Sequence, residues 1–202
     1  MIMKRILALT VFAALLPVAS VAVKANTVTL TQGTYSYSDG GEFTAVTSPG
    51  AFVGNGYVAA TKNSAGTGFQ TFCMESQVYF SPGTVYSYTL GQMSQPLTGG
   101  GIGSNLPLST GAAYLYYQFA TGNLTGYDYN TANTPGDQAA RKADAGALQA
   151  AIWLLQGGQV VSGFPLGNNS YYDLAVANAN TSYQFVEQRV NFQPRNLSWV
   201  KF

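Results

Sequence analysis

Cys73 and Gln149 are the residues of this 202-residue chain whose types and settings favour covalent chemistry. Cys73 is the single cysteine, and a thiolate is the most nucleophilic of the ordinary side chains. Gln149 carries an acyl carbon in its side-chain amide and lies in the apolar stretch 148–153, where an unpartnered buried amide would cost about 1–3 kcal/mol. Attack of the thiol on this amide requires that the two groups be held together where water is excluded.

Each residue also has a simpler explanation. Cys73 could be a small buried apolar residue. Gln149 shares a predicted helix face with Ile152 and Trp153, and it could be an amide at an exposed edge that bonds backbone or water. The residue types alone leave both explanations open.

Two short motifs resemble those of the thioester domains of bacterial surface proteins. Phe72-Cys73-Met74-Glu75 is similar to the aromatic-Cys-hydrophobic motif in the β part of those domains. The stretch 148–153 is similar to the hydrophobic-Gln-x-Ala-Ile-Trp motif of their later helix. The same motif pair is similar to that of secreted proteins that end in an exosortase sorting tail beginning Pro-Glu-Pro. The resemblance covers residues 26 to about 180.

The resemblance implies an internal thioester between the sulfur of Cys73 and the side-chain carbonyl of Gln149, formed with loss of ammonia. An amine, such as a lysine on a partner protein or a surface polymer, would displace the sulfur and remain attached through an amide bond. By the chain-entropy relation for cross-links, closing this loop would stabilise the fold by roughly 4 kcal/mol. The motifs also include four supporting residues: Phe72, Glu75, Ile152 and Trp153.

The chain departs from the family pattern in three places. Leu148 stands where surface adhesins often have threonine. The sequence contains neither a Leu-Pro-x-Thr-Gly signal nor a Pro-Glu-Pro tail, and residues 188–202 are unlike the usual family ending. The resemblance gives Glu75 no role.

The N-terminal segment predicts export. Lys4 and Arg5 precede an apolar stretch, and Val23-Lys24-Ala25 offers small residues at the positions that a signal peptidase reads. We therefore expect a signal peptide over 1–25, with no stable membrane span after cleavage. An uncleaved signal-anchor is the alternative. An unpaired thiol is unusual in an exported protein, and a thioester would occupy it.

Composition excludes several classes of function. Charged residues make up 8% of the chain, against about 25% in typical globular proteins. Removing Lys4, Arg5 and Lys24 from the nine basic residues leaves six against eight acidic residues, a net charge of −2, so nucleic acid is not expected as a partner. The chain has no histidine, which excludes histidine-based triads and makes a metal or other cofactor unexpected.

Short strands are predicted between residue 26 and about residue 95, because β-branched, aromatic or alternating runs are separated by Gly, Pro, Ser and Asp clusters. The predicted strands are 27–30, 33–37, 42–46, 56–60, 69–74 and 85–90. Strand character returns at 159–161 and 183–192, with a turn at 178–181.

Two helices are predicted in the middle of the chain. Ser109 caps the first, over 110–121, and Thr134 caps the second, over 135–156, with Pro135 at its first position. Ala140, Asp144, Leu148, Ile152 and Leu155 follow i, i+4 and i+3 spacing, so this face of the second helix is predicted to be buried except for Asp144.

These elements predict an α+β fold, an antiparallel β-sandwich or barrel with an inserted helical subdomain. The expected organisation is a signal peptide over 1–25, a thioester-like domain over 26–187 and a tail over 188–202. Within the domain, the β part covers about 26–95 and 159–187, and the helical insertion covers about 109–158.

The expected function is adhesion: a secreted or cell-surface protein that attaches covalently to amines of a host, neighbour or matrix molecule. We do not expect an enzyme, because the acyl transfer happens once per chain. The sequence shows no nucleophile elbow or phosphate loop, and its acidic residues are scattered.

Two other functions fit the sequence. One is a non-reactive structural or matrix protein of the same fold, in which the two residues are unlinked or the bond is only a staple. The other is a small outer-membrane β-barrel, which the signal peptide, 14 tyrosines and the terminal Phe202 favour. The capped helix over 135–156 argues against the barrel.

Overall fold

A computed structural model describes residues 26–48, 68–76, 78–91, 107–130, 134–157, 163–164, 168–179 and 199–201. Within these ranges the fold is α+β, as predicted, with a four-stranded antiparallel sheet, a two-stranded sheet and three helices. The signal peptide over 1–25 and the predicted strands at 56–60, 159–161 and 183–192 lie outside them. Among the described helices, none has the length and apolar character needed to cross a membrane.

The main sheet is built on a long hairpin of β1 (Thr27–Tyr37) and β2 (Gly40–Ser48). The two strands pair antiparallel from Thr27 opposite Ser48, and the register shifts between Gln32 and Ser36. The predicted strands 27–30 and 33–37 are therefore one strand with an irregularity, because pairing with β2 continues past the shift.

Two short strands complete the main sheet in the order β3-β2-β1-β4. β3 (Phe69–Thr71) pairs with β2, and β4 (Val85–Ser87) pairs with β1. The predicted strand 85–90 is divided, because β5 (Thr89–Gly91) pairs instead with β6 (Trp199–Lys201) in the second sheet.

The predicted strand 69–74 is too long by three residues. Strand pairing ends at Thr71, so Phe72, Cys73 and Met74 follow the strand rather than continue it. Cys73 therefore lies outside the strand, and its backbone hydrogen-bonds to the side chain of Gln149 instead of to a neighbouring strand.

Both predicted helices are present with their predicted caps. α1 (Thr110–Ala120) begins after Ser109, whose hydroxyl accepts a hydrogen bond from the backbone N–H of Ala112 at 3.1 Å. α2 (Pro135–Leu155) begins after Thr134, whose hydroxyl accepts from the N–H of Asp137 at 3.3 Å. Each cap satisfies a backbone donor that the first turn leaves free.

The buried face of α2 differs from the prediction by one residue at its start. Ala140 is exposed, whereas Arg141 is buried, and Asp144, the expected exception, is half-buried. The face follows i, i+4 and i+3 steps through Arg141, Ala145, Leu148, Gln149 and Ile152. The sequence pattern did not predict Arg141 on this face, because an arginine is rarely buried without a partner and the pattern does not reveal its partner.

A third helix, α3 (Ser170–Ala179), lies where the β part was predicted to continue. The predicted turn at 178–181 is also wrong at Asn178, which is helical. The side chain of Asn169 accepts hydrogen bonds from the N–H groups of Tyr171 and Tyr172, both at 3.1 Å. This cap was the available sequence signal for α3.

The main hydrophobic core lies between α1, α2, α3 and the sheet. Its fully buried residues include Leu30 and Ala45 from the sheet, Leu115 and Phe119 from α1, and Leu148 and Ile152 from α2. A smaller cluster of Ala150, Trp153 and Phe164 lies beside it, with Tyr37 and Cys73 packed against this cluster. The predicted thioester pair lies where β3 ends against the middle of α2.

Candidate functional site

Cys73 and Gln149 are joined by two reciprocal hydrogen bonds. The backbone N–H of Cys73 donates to Oε1 of Gln149 at 3.0 Å. Nε2 of Gln149 donates to the backbone carbonyl of Cys73 at 2.7 Å. The oxygen and the nitrogen of the Gln149 side-chain amide are thus both hydrogen-bonded to the backbone of Cys73. The sulfur of that residue lies two covalent bonds from its Cα.

The elements on either side hold this arrangement. Gln149 is fully buried in the middle of α2, so its backbone is fixed by helical hydrogen bonds in both directions. Cys73 lies two residues beyond the end of β3, which is anchored to β2. The explanation of Gln149 as an exposed-edge amide is wrong, and its burial carries no unsatisfied group because Cys73 pairs both of its ends.

The half-buried Cys73 lies beside aromatic side chains. It packs against the cluster of Ala150, Trp153 and Phe164, in which the two rings meet edge to face at 4.8 Å. Burial raises the pKa of the Cys73 thiol to about 12. When Cys73 is not linked, its side chain is therefore a protonated thiol at neutral pH. If a thioester at this site opened, the released sulfur would need to receive a proton.

Gly40 leaves room for the Gln149 side chain. A Cβ at Gly40 would come within 3.0 Å of Cγ of Gln149, 2.9 Å of the Phe164 ring and 3.1 Å of the Trp153 ring. Real Cβ atoms avoid such contacts, so the start of β2 approaches the pair closely only because residue 40 lacks a side chain.

The predicted supporting residues fall into two groups. Phe72 and Ile152 belong to the main core, where Phe72 packs edge to face on Phe119 at 4.9 Å. Phe72 directly precedes Cys73 and Ile152 lies three residues after Gln149, so their packing fixes the backbone near each member of the pair. Trp153 belongs to the smaller cluster with Cys73.

Glu75 and Trp153 carry buried polar atoms for which the described residues offer no partner. Within the described ranges, nothing donates a hydrogen bond to the two buried carboxylate oxygens of Glu75, and nothing accepts one from the buried indole N–H of Trp153. Such groups are rare because each forfeits its hydration without replacement. One follows Cys73 by two residues, and the other lies one helical turn beyond Gln149.

A buried ionic network, which sequence analysis missed, fixes α2 to the sheet. Nε and Nη2 of Arg141 donate to the Glu42 carboxylate of β2 at 2.8 Å and 3.0 Å. The Tyr127 hydroxyl also donates to Glu42, and the guanidinium lies 4.2 Å from the centre of the Tyr35 ring. Arg141 is two helical turns before Gln149, so the network fixes the position of α2 along β2.

The pKa shifts in this network follow from its burial. Burial raises the pKa of Glu42, although the hydrogen bonds and charge of Arg141 oppose the shift. Burial and then the charge of Glu42 raise the pKa of the Tyr127 phenol well above its ordinary range. Tyr127 therefore keeps its proton and remains a hydrogen-bond donor.

The arrangement at Cys73 and Gln149 contains the parts that an acyl transfer requires. The N–H of Cys73 donates to the oxygen on which charge would develop if the thiol attacked Cδ of Gln149. Nε2, the leaving nitrogen, is held by the Cys73 carbonyl. In the described ranges, no group of three or more His, Cys, Asp or Glu side chains is placed to hold a metal ion.

Comparisons with protein-family models, with curated proteins and with solved structures give no match to this chain. The interpretation of the site therefore depends on its own residues and geometry.

Proposed function

We propose that this chain is an exported attachment protein in which Cys73 and Gln149 form an internal thioester that primary amines open. The observation that carries the proposal is the reciprocal hydrogen bonding of the Gln149 amide to the N–H and carbonyl of Cys73. This bonding holds together two residues that are 76 positions apart in the sequence, and the Cys73 N–H donates to the oxygen of the amide that the thiol would attack.

Formation and opening of the thioester are each balanced in bonds and protons, and neither step requires a cofactor. In formation, the Cys73 S–H and Gln149 Cδ–Nε2 bonds break, the Sγ–Cδ bond forms, and the thiol proton leaves with Nε2 as ammonia. In opening, the nitrogen of a primary amine bonds Cδ, the Cδ–Sγ bond breaks, and one N–H proton of the amine passes to the sulfur. The product is an amide bond to the partner. The acyl donor is consumed, so the chain acts once and is not an enzyme.

Burial of the pair supports a bond that survives in water. Gln149 is fully buried, and Cys73 lies against Trp153 and Phe164. A thioester hydrolyses slowly where water is excluded. The aromatic cluster would therefore protect the bond until an amine reaches it.

Export is part of this proposal and rests on residues 1–25, whose layout is that of a signal peptide. The partner would be a lysine-bearing protein or an amine-bearing polymer outside the cell, as expected of an adhesion or matrix protein. The β-sandwich or barrel is also part of the proposal. A crystal structure in which the four strands remain an open sheet would remove that part.

Exposure to amines tests the reactive function. Methylamine added to the purified mature chain should increase its mass by one methylamine, and fragmentation should place the addition on Gln149. The Cys73→Ala chain is the control and should gain nothing. A wild-type chain that never takes up methylamine would contradict the proposed reactivity.

The same burial favours a second candidate, a thioester that serves only as a structural staple. Gln149 has no exposed surface, so an amine must enter a closed site. A staple would show the loss of ammonia but react with methylamine only after denaturation. Reactivity under native conditions therefore separates the two functions.

A further inference from the structure

Glu75 is the unexplained group nearest in sequence to the proposed thioester. Two Cα–Cα steps limit its Cα to within about 7.6 Å of the Cys73 Cα, a distance that the glutamate and cysteine side chains can span together. Both of its carboxylate oxygens are buried and have no hydrogen-bond partner among the residues that the structure describes. The other buried acid described above, Glu42, is fully paired by Arg141 and Tyr127.

A buried carboxylate without donors is suited to a ligand that supplies them. A primary ammonium has three N–H donors and a positive charge, and it would satisfy both oxygens of Glu75. A small movement of the chain would give an ammonium group access to this position, because Cys73 and Glu75 are each half-buried as whole residues. No hydrogen-bond donor of the described chain competes for the carboxylate.

The following inference rests on the proposed function. We propose that Glu75 binds the incoming primary ammonium and transfers one of its protons to the Cys73 sulfur. The carboxylate takes a proton from R–NH3+, and the freed amine attacks Cδ of Gln149. As the Cδ–Sγ bond breaks, Glu75 gives that proton to the sulfur. The second excess proton leaves the new amide nitrogen for water, so Glu75 ends as it began. The site then selects alkylammonium groups, such as lysine side chains, over uncharged nucleophiles.

The properties of the sulfur agree with this role. Burial raises the pKa of the Cys73 thiol to about 12, so a thiolate is a poor leaving group here unless a proton arrives with its departure. A carboxylic acid two residues away is a suitable source for that proton.

The test compares methylamine, a cation at neutral pH, with hydroxylamine, which is largely uncharged there. Glu75→Gln keeps the size of the side chain but cannot accept the proton. In the thioester-linked chain it should slow methylamine about a hundredfold, a typical general acid–base effect, and slow hydroxylamine much less. Glu75→Asp should recover part of the methylamine rate. Equal methylamine rates in wild type and Glu75→Gln, or equal slowing of both nucleophiles, would overturn the proposal.

Wild-type protein gives a second test if Glu75→Gln does not fold or link. The ratio of the methylamine rate to the hydroxylamine rate should exceed that of a simple alkyl thioester in the same buffer by at least about tenfold. An equal or lower ratio would overturn the role of Glu75. A wild-type chain without ammonia loss would instead contradict the proposed function, so the two failures are distinguishable.

Discussion

Gly40 and Gln149 approach so closely that a methyl group on the glycine would crowd the glutamine side chain. A Cβ on Gly40 would lie 3.0 Å from Cγ of Gln149, 3.1 Å from the Trp153 ring and 2.9 Å from the Phe164 ring. The start of β2 thus determines where the acyl carbon lies. The position of Gln149 depends on the sheet as well as on α2.

Gly40→Ala should reduce thioester formation by displacing the Gln149 side chain. The expected result is a large fraction of chains that keep their ammonia, with a loss of about 1–3 kcal/mol in stability from overpacking. Intact mass and urea unfolding measure the two effects. Gly136→Ala is the matched control, because a Cβ there meets nothing within 4 Å and alanine favours the helix. Full linkage in Gly40→Ala would contradict this account of the site.

The Glu42–Arg141 pair should be costly to break from one side. Arg141→Met leaves the Glu42 carboxylate and the Tyr127 hydroxyl buried without their cation, so we expect a loss of about 3–5 kcal/mol in the free energy of unfolding. Chemical denaturation gives this value. The double variant Glu42→Leu/Arg141→Met removes both charges and should recover much of the loss. A double variant that is less stable than Arg141→Met would contradict this explanation.

The free Cys73 thiol should react slowly with alkylating reagents near neutral pH. A pKa of about 12, against an ordinary value of 9.0, leaves about a thousandfold less thiolate, although the more basic sulfur is intrinsically more nucleophilic. We expect iodoacetamide to modify methylamine-opened, folded protein at least about tenfold more slowly than the same protein in urea at pH 8. Equal rates would show that burial does not control this thiol.

The same shift makes the stability of the opened chain depend on pH. The folded thiol keeps its proton up to a pKa of about 12, whereas the unfolded thiol loses it near 9.0. The unfolded state therefore binds fewer protons in this range, and the free energy of unfolding should fall as pH rises from about 9 to about 12. Cys73→Ala lacks the group and should lack this component. Urea unfolding of both chains across this pH range gives the comparison.

Local signals predicted most of the helical fold. Ser109 and Thr134 cap α1 and α2 as predicted, because a capping hydroxyl acts on a backbone donor within three residues of it. α3 was missed although Asn169 supplies a similar cap, because the neighbouring sequence was interpreted as β structure. The end of β3 at Thr71 could not be predicted, since it depends on how far β2 remains beside it.

The site required information that no local pattern contains. Glu42 and Arg141 are 99 residues apart, and the burial of the arginine depends on a carboxylate from the sheet. Cys73 and Gln149 were paired through their resemblance to known motifs, not through spacing. Their reciprocal hydrogen bonds and the contact of Gln149 with Gly40 form only when α2 packs on the sheet.

The intact mass of the purified mature chain tests the central claim most directly. With an internal thioester, the wild-type chain should be lighter than its sequence mass by one ammonia molecule, while Cys73→Ala and Gln149→Ala should each have their full calculated masses. Wild-type protein at its full calculated mass, folded and never exposed to amines, would contradict the account.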